Sequence, residues 1–587
     1  MPTLLDVYRR LYDSERKYIA ELLKRIYEVL EDDKIPLVFF EAPTGYGKTS
    51  IAQTLALYSL LDMGSVPKVI HVLPSRSIVD DVLRKTRERF RRLLRSEDGN
   101  SINSLVAGQS MDHSDVVFLD APYTVTTFDT FLLSSLKLNP KMILSVVKRW
   151  SYGYDHYTLG SIYSSFIVFD EIQYVLEYEI SQKPGEYSPY TMMNVFLGVV
   201  SVLAKNAVPM VFMSATIPKV LYDAIHEMIV YRGCGALKKV KYEIINWTHH
   251  SEDFSPDYDR DRPSGYASLS RDSFVPEDRV LDLIKDYLDY GKRVLVVRNT
   301  PRRAIKTYFG LRELGYDCVL IHGRLTPKDR GRALERLEKS KVIVSTQVIE
   351  AGVDISADVL ITDPAPASSI IQRAGRIARY RREERGDVYV LKGEETLYAP
   401  YDKNLVERSV GIIAEKTSGS PLDLHAHETI INLLEGAYKD IKRPYFASSA
   451  VEKIMISPQI RSKAVLEARK NFLKKGEPFI RELLITCYIV PEEELSDVES
   501  LYKNLGSGVY TDSIAISYRD LMRLYKDGSE LIVFYPNHDS PKDSKILEIG
   551  KAKMDDLVED LLSGEAYLLS RKGSYEEGIG PGWLLYE

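Results

Sequence analysis

The sequence predicts an α/β protein: two parallel-sheet units in tandem, followed by a mixed α/β module. Three observations predict it. Short apolar runs such as Leu37-Val38-Phe39-Phe40, Phe166-Ile167-Val168-Phe169 and Val294-Leu295-Val296-Val297 each end in a small polar turn. Continuous apolar runs of this kind are strands buried on both faces, as in parallel sheets. The rhythm breaks across residues 248–277, which are rich in Asp, Arg, Pro and Gly, and resumes near Val280. We therefore expect a first lobe over 1–247, a polar linker over 248–277, a second lobe over 278–400, and an accessory domain over 401–587.

A chain of 587 residues with 44% apolar content has ample material for several cores. Its three cysteines, Cys234, Cys318 and Cys487, lie far apart and form no metal or disulfide spacing. The N-terminal stretch carries Asp6, Asp13 and Glu15 and lacks a basic-then-apolar signal. The most apolar long stretch, Val195 to Ala204, stops at Lys205, too short to cross a bilayer. The chain reads as soluble and cytoplasmic, with no membrane partner. Net charge is −6, so any nucleic-acid contact needs local basic surface.

The first lobe opens with a helical pattern over residues 4–32. The first strand then runs into Ala42-Pro43-Thr44-Gly45-Tyr46-Gly47-Lys48-Thr49, with a helix following. Strand, glycine loop and helix in this order make a phosphate cradle lined by backbone N–H groups. Gly45 and Gly47 allow the bend, Lys48 reaches the β/γ-phosphates, and the Thr49 hydroxyl can ligate Mg²⁺. Ala42 stands where the usual pattern has its first glycine. No glutamine occurs between Met1 and Ala42, and recognition of a base is left unassigned.

The strand Lys68–Leu73 leads into Pro74-Ser75-Arg76-Ser77, then a helix rich in Arg84, Lys85, Arg87, Arg89, Arg91, Arg92 and Arg95. Such a run reads as a solvated face, with a basic rail beside a nucleic-acid path as the alternative. The hydroxyl-rich turn Pro122–Asp129 suits phosphate contacts or an ordinary N-cap. Phe166–Phe169 then delivers Asp170 and Glu171 to a strand end, followed by Ile172 and Gln173. Ligands bind at that end of parallel sheets. Asp170 is placed to hold Mg²⁺, and Glu171 to polarise the water that attacks a γ-phosphate. The strand Pro209–Met213 ends in Ser214-Ala215-Thr216, small hydroxyls able to sense that phosphate. His249-His250 brings no further ligands at metal spacing and reads as surface loop.

The second lobe has no phosphate loop of its own. Its strands end in Arg298-Asn299-Thr300, His322-Gly323-Arg324 and Ser345-Thr346-Gln347, and it carries Gln372-Arg373-Ala374-Gly375-Arg376-Ile377-Ala378-Arg379. Gln372, Arg376 and Arg379 are spaced for one helix face, where two guanidiniums can clamp a transferring phosphoryl group.

This ordered set, Ala42–Thr49 through Gln372–Arg379, resembles superfamily 2 helicases over about residues 37–395. Thr346–Asp358, Ser368–Arg376 and Ile321–Arg330, with Asp170–Gln173, are similar to the helicase of type I CRISPR–Cas interference. The resemblance implies two RecA-like lobes, ATP and Mg²⁺ in the cleft between them, and single-stranded DNA across both. It also implies Gly352 and Asp354 lining the cleft, translocation from 3′ to 5′, and recruitment to a crRNA-guided surveillance complex. Ser75, Arg76, Thr127, Asn299, Thr300, Thr346 and Gln347 are the candidate strand contacts. Because the phosphate loop arrives by residue 42, the chain resembles a split form. The HD nuclease is then expected on a separate subunit, and no nuclease activity on this one. An RNA or repair helicase, or a nucleotide-gated DNA clamp, are the alternatives.

Overall fold

The computed structural model describes residues 2–62, 66–94, 99–110, 115–139, 154–176, 192–232, 242–251, 265–350, 355–380, 384–392, 397–439, 448–456, 484–507, 512–527, 531–553, 557–558, 560–561 and 565–584.

The first lobe is a parallel sheet whose strands are β1 (Ile35–Glu41), β2 (Val69–Leu73), β3 (Val106–Gln109), β4 (Tyr123–Thr127), β5 (Phe166–Asp170), β6 (Met210–Ser214) and β7 (Tyr242–Trp247). They pair in the order β3-β4-β2-β5-β6-β1-β7. Aromatic side chains fill one face: the Phe169 ring stacks on Phe212 at 5.5 Å and meets Phe196 edge-on at 5.2 Å. Such pairs add about 0.5–1.5 kcal/mol each beyond buried area. Register sets the site. Glu41 pairs with Ser214, and Asp170 with Met213, so β6 carries its terminal serine between the loop after β1 and the carboxylates of β5.

The N-terminal helical pattern is two helices, Leu4–Leu11 and Lys17–Glu31, not one. The first is fixed by a capping box between Thr3 and Asp6, and it ends where Tyr12 turns extended (φ −135°). The Tyr8 hydroxyl accepts the Arg16 N–H at 3.2 Å, which fastens the break.

The second lobe contains β8 (Tyr266–Leu269), β9 (Phe274–Pro276), β10 (Val294–Val297), β11 (Cys318–Ile321), β12 (Val342–Ser345), β13 (Val359–Thr362), β14 (Arg385–Lys392) and β15 (Leu422–Asp423). The order is β11-β12-β10-β13-β14-β8-β15, with β9 also on β14 and only β15 antiparallel among the described strands. The expected linker thus differs in its second half: β8 and β9 belong to this sheet. The short apolar alternation of Tyr266–Leu269 was hidden by the polar residues around it.

The chain then returns to the first lobe. Helix Ser448–Ile456 packs so closely on helix Met192–Lys205 that a Cβ on Gly198 would lie 2.7 Å from Val451 Cβ. The C-terminal module is a mixed sheet of β16 (Leu484–Val490), β17 (Ser513–Ser517), β18 (Ile532–Tyr535), β19 (Lys545–Glu548) and β20 (Tyr567–Arg571). It is bound to the second lobe: Arg324 donates to Ala515 O and Asp520 Oδ2, both at 2.6 Å, and Tyr575 OH donates to Asp329 Oδ2 at 2.8 Å. Among the described residues no helix is long and apolar enough to cross a membrane.

Candidate nucleotide site

The loop after β1 turns through two left-handed glycines, Gly45 (φ +85°) and Gly47 (φ +101°). Space is not the reason for them: no atom lies within 4 Å of a Cβ built on Gly45. Their backbone conformation is. Lys48, at the end of the loop, donates to Ala42 O at 2.8 Å and lies 3.2 Å from Glu171 Oε1.

Glu171 itself is left-handed (φ +54°), a conformation a non-glycine residue holds only when its surroundings impose it. Its Oε2 accepts from Gln173 Nε2 at 2.8 Å and faces Ala215 N at 3.4 Å. Gln173 Oε1 in turn meets the Ser214 hydroxyl, which also reaches Thr216 O at 2.8 Å. The sequence-predicted coupling residues Gln173, Ser214 and Thr216 therefore form one hydrogen-bonded chain leading to Glu171.

Across a cleft of about 380 Å³, the second lobe supplies Glu350, Gln372, Arg376 and Arg379, facing Thr44, Gly45, Gly47, Lys48, Thr49, Asp170 and Glu171. A Cβ on Gly375 would lie 3.2 Å from Thr44 Cγ2, so the lobes touch across the loop. The single helix face expected for the arginines is not formed. The helix Ala367–Ala374 stops at Gly375, and Arg376 follows in a turn. Its guanidinium donates to Ile349 O at 3.0 Å and Glu350 O at 2.7 Å, and the backbone there leaves the helical ladder to pair with Ala357, Ala357 N donating to Arg376 O at 2.9 Å and Ala378 N to Ala357 O at 3.1 Å. Gly352 and Asp354 lie outside the described residues.

The candidate strand contacts divide. Ser75, Arg76, Thr300 and Gln347 are part-exposed, whereas Thr127, Asn299 and Thr346 are buried. Asn299 is a correction: its amide donates to Pro364 O and Leu397 O and accepts from Arg373, so no group of it is left for a strand. Thr127 is likewise an N-cap, accepting from Thr130 N. Thr346 is 2% exposed. The basic helix Arg76–Leu94 spends many of its cations on neighbours: Arg84 and Lys85 on Asp81, Arg92 on Glu88, Arg87 on Asp115 and Arg89 on Gln53.

Sequence reasoning missed one wall of the cleft, formed by Tyr12, Gln53 and Arg89. Arg89 sits over the Tyr12 ring at 4.7 Å and donates to Gln53 Oε1 at 2.9 Å. Tyr12 was concealed in an apolar helical pattern and Arg89 in a basic run.

Residues 21–224 match the DEAD/DEAH box helicase family, and residues 290–382 match the C-terminal region of the CRISPR-associated nuclease/helicase Cas3. This chain is similar to the CRISPR-associated superfamily 2 helicases. A putative CRISPR-associated nuclease/helicase Cas3 of Methanocaldococcus jannaschii is 27% identical over 440 residues, covering 70% of this chain and 53% of that protein. The CRISPR-associated endonuclease/helicase Cas3 of Escherichia coli is 24% identical, covering 60% and 41%. The chain spans about half the length of such curated relatives. Among solved structures, T. fusca Cas3 with AMPPNP matches with a TM-score of 0.57 at 16% identity, covering 98% of this chain and 70% of that chain. The fold of this chain is thus two tandem RecA-like lobes with an accessory domain.

Proposed function

We propose that this chain is a helicase that hydrolyses ATP with Mg²⁺ and uses the cycle to move along single-stranded DNA, 3′ to 5′, unwinding target DNA in type I CRISPR–Cas interference. One observation carries the reading. A phosphate loop with Lys48, the Asp170–Glu171 strand end, and Arg376 with Arg379 from the other lobe all line one cleft. Hydrolysis there would alter contacts in both lobes at once, which is how a motor couples chemistry to movement.

The donor set fits both groups. Asp170 Oδ1 is buried and has no hydrogen-bond partner, as does Thr44 Oγ1. A buried carboxylate oxygen of this kind suits a cation, which with Thr49 would be held facing the loop. When bound, Mg²⁺ supplies charge neutralisation on the phosphates. Lys48 and the loop N–H groups bind the phosphates. Glu171 takes the proton of the attacking water, and Gln173, Ser214 and Thr216 hold that carboxylate in line. Arg376 and Arg379 stabilise charge on the transferring group, with Gln372 beside them. Ser75, Arg76, Thr300 and Gln347 contact the strand backbone, which makes binding salt-dependent and poorly sequence-selective.

We assign recruitment to a crRNA-guided complex and strand cleavage by a separate HD nuclease to partners of this chain. The first test is ATP turnover by the purified chain alone, with single-stranded DNA, and with RNA of equal length. Stimulation by DNA only is expected. Stimulation by RNA only would replace this reading with an RNA helicase.

A further inference from the structure

Glu41 ends β1 immediately before the phosphate loop, and its side chain is fully buried. A buried carboxylate needs donors. It has Ile217 N at 2.5 Å, His249 N at 2.9 Å and His249 Nδ1 at 2.8 Å. The other ring nitrogen, His249 Nε2, lies 3.3 Å from Glu435 Oε1. A neutral imidazole has one N–H and can serve only one of these carboxylates; the imidazolium serves both. Burial alone would lower the pKa of this ring, but its hydrogen bonds to Glu41 and Glu435 outweigh burial and push it up to about 9.

The two carboxylates belong to different sides of the cleft. Glu41 and His249 flank the first sheet. Glu435 sits on the helix His427–Tyr438, which is fastened to the arginine segment. Tyr438 OH meets Ser368 Oγ at 3.0 Å, and His425 Nε2 lies 2.9 Å from Ala374 O. Glu435 also accepts Lys219 N at 2.7 Å, from the first lobe.

We propose that His249 is a positioning residue for ATP turnover. Its doubly donating ring joins Glu41, at the base of the phosphate loop, to Glu435, behind the arginine segment, and holds the two sides of the cleft in closed register. The proposal rests on the ATPase reading above. A metal ion fits the same place less well. Glu41, His249 and His250 offer ligand atoms within 4.8 Å of one another. Both nitrogens of His249 already face carboxylates, however, and His250 Nε2 faces Ile217 O at 2.8 Å.

The titratable groups facing His249 are Glu41, Glu435, His250 and His427, with Lys219 turned to Asp223 at 3.3 Å. Burial lowers both neighbouring histidines, His427 to about 4, so neither carries charge where His249 loses its proton. The bridge is complete below the ordinary histidine value of 6.5 and is lost as pH rises through about 9.

The test compares the full wild-type chain with His249→Gln and Glu435→Gln, measuring Tm and DNA-stimulated turnover from about pH 7 to about pH 10. Glu435→Gln keeps an oxygen for Lys219 N and removes only the charge facing His249, so it covers the case in which His249→Gln does not fold. The expected result is a wild-type Tm and kcat that decline as pH passes about 9. In Glu435→Gln that decline flattens, and kcat near neutrality drops about fivefold with KM for ATP held, the low end of couplings between sites. Wild-type kcat and an unchanged pH profile in Glu435→Gln would overturn the proposal. So would stoichiometric Zn²⁺ in the purified chain that disappears in His249→Gln. A flattened Tm profile in a chain with no ATP turnover would keep the bridge and sink the ATPase reading instead.

Discussion

Lys48 Nζ stands 3.2 Å from Glu171 Oε1, so the lysine of the glycine loop and the proposed base form an ion pair in this structure. On the proposed reading, a bound phosphate would draw the lysine away and leave the carboxylate to polarise water. Glu171→Gln keeps the shape of the side chain and the contact with Gln173 but cannot accept a proton. Turnover should fall about 10²- to 10⁴-fold, the usual contribution of a general base, while ATP binding is retained. Single-turnover hydrolysis beside a nucleotide-binding titration reads both. Normal hydrolysis in this variant would move the base to another group.

Arg376 and Arg379 should separate in stability though both slow chemistry. Removing an arginine finger costs about 10³- to 10⁵-fold in kcat. Arg376 also donates to Ile349 O and Glu350 O, so Arg376→Ala leaves two carbonyls short of a donor and should lower Tm more than Arg379→Ala does. Lysine should rescue neither, because it has no planar fork. Thermal scans and kcat on the same preparations check this. An Arg379→Ala enzyme turning over within about tenfold of wild type would remove Arg379 from the assigned role.

Much of this site was legible because the chemistry is local in sequence. A strand, two glycines and a lysine lie consecutively, as do four apolar residues and two carboxylates. What stayed hidden depends on distant packing. Nothing near Asn299 in the sequence indicates that Arg373, Pro364 and Leu397 saturate its amide. Periodicity placed Arg376 on a helix because spacing alone does not register that residues 376–378 pair through the backbone with Ala357. His249 and His250 looked like surface because Glu41 and Glu435 are about two hundred residues away in sequence from them and close only after folding. Polar residues in a loop-like stretch give no sign of which buried partner they meet.

The cleft wall made by Tyr12, Gln53 and Arg89 should set affinity for the nucleotide base rather than the rate of chemistry. Arg89 over Tyr12 presents a flat cationic and aromatic surface beside the phosphate loop. Such stacking is worth about 0.5–2 kcal/mol, so Tyr12→Ala and Arg89→Ala should raise KM for ATP between about two- and thirtyfold with kcat nearly kept. Comparing ATP with a pyrimidine triphosphate sharpens the reading, since the loss should be larger for the purine. Equal KM values in wild type and both variants would place the base elsewhere.

Acid should release the C-terminal tail from the second lobe. His322 is fully buried and uses its neutral form on both sides: Nε2 donates to Ile579 O at 2.7 Å, and Nδ1 accepts Arg324 N at 3.1 Å. Gly580 allows this approach, with a left-handed backbone (φ +119°) and a Cβ position only 3.1 Å from the ring. Burial, aided by the charges of Arg324 and Arg330, pushes the ring down to about 4. The unfolded chain therefore binds a proton that the folded chain refuses. The contribution is whole above the ordinary value of 6.5 and drains as pH falls toward about 4. Protonating Nδ1 also sets two donors, Arg324 N–H and the ring N–H, against each other. Tm should decline as the medium is acidified below neutrality, and limited proteolysis near residues 575–584 should accelerate together with it. In His322→Gln the tail should be cleaved faster at neutral pH, and its further acceleration in acid should be small. A wild-type tail whose protection does not change with pH while Tm falls would assign the acid sensitivity to other groups.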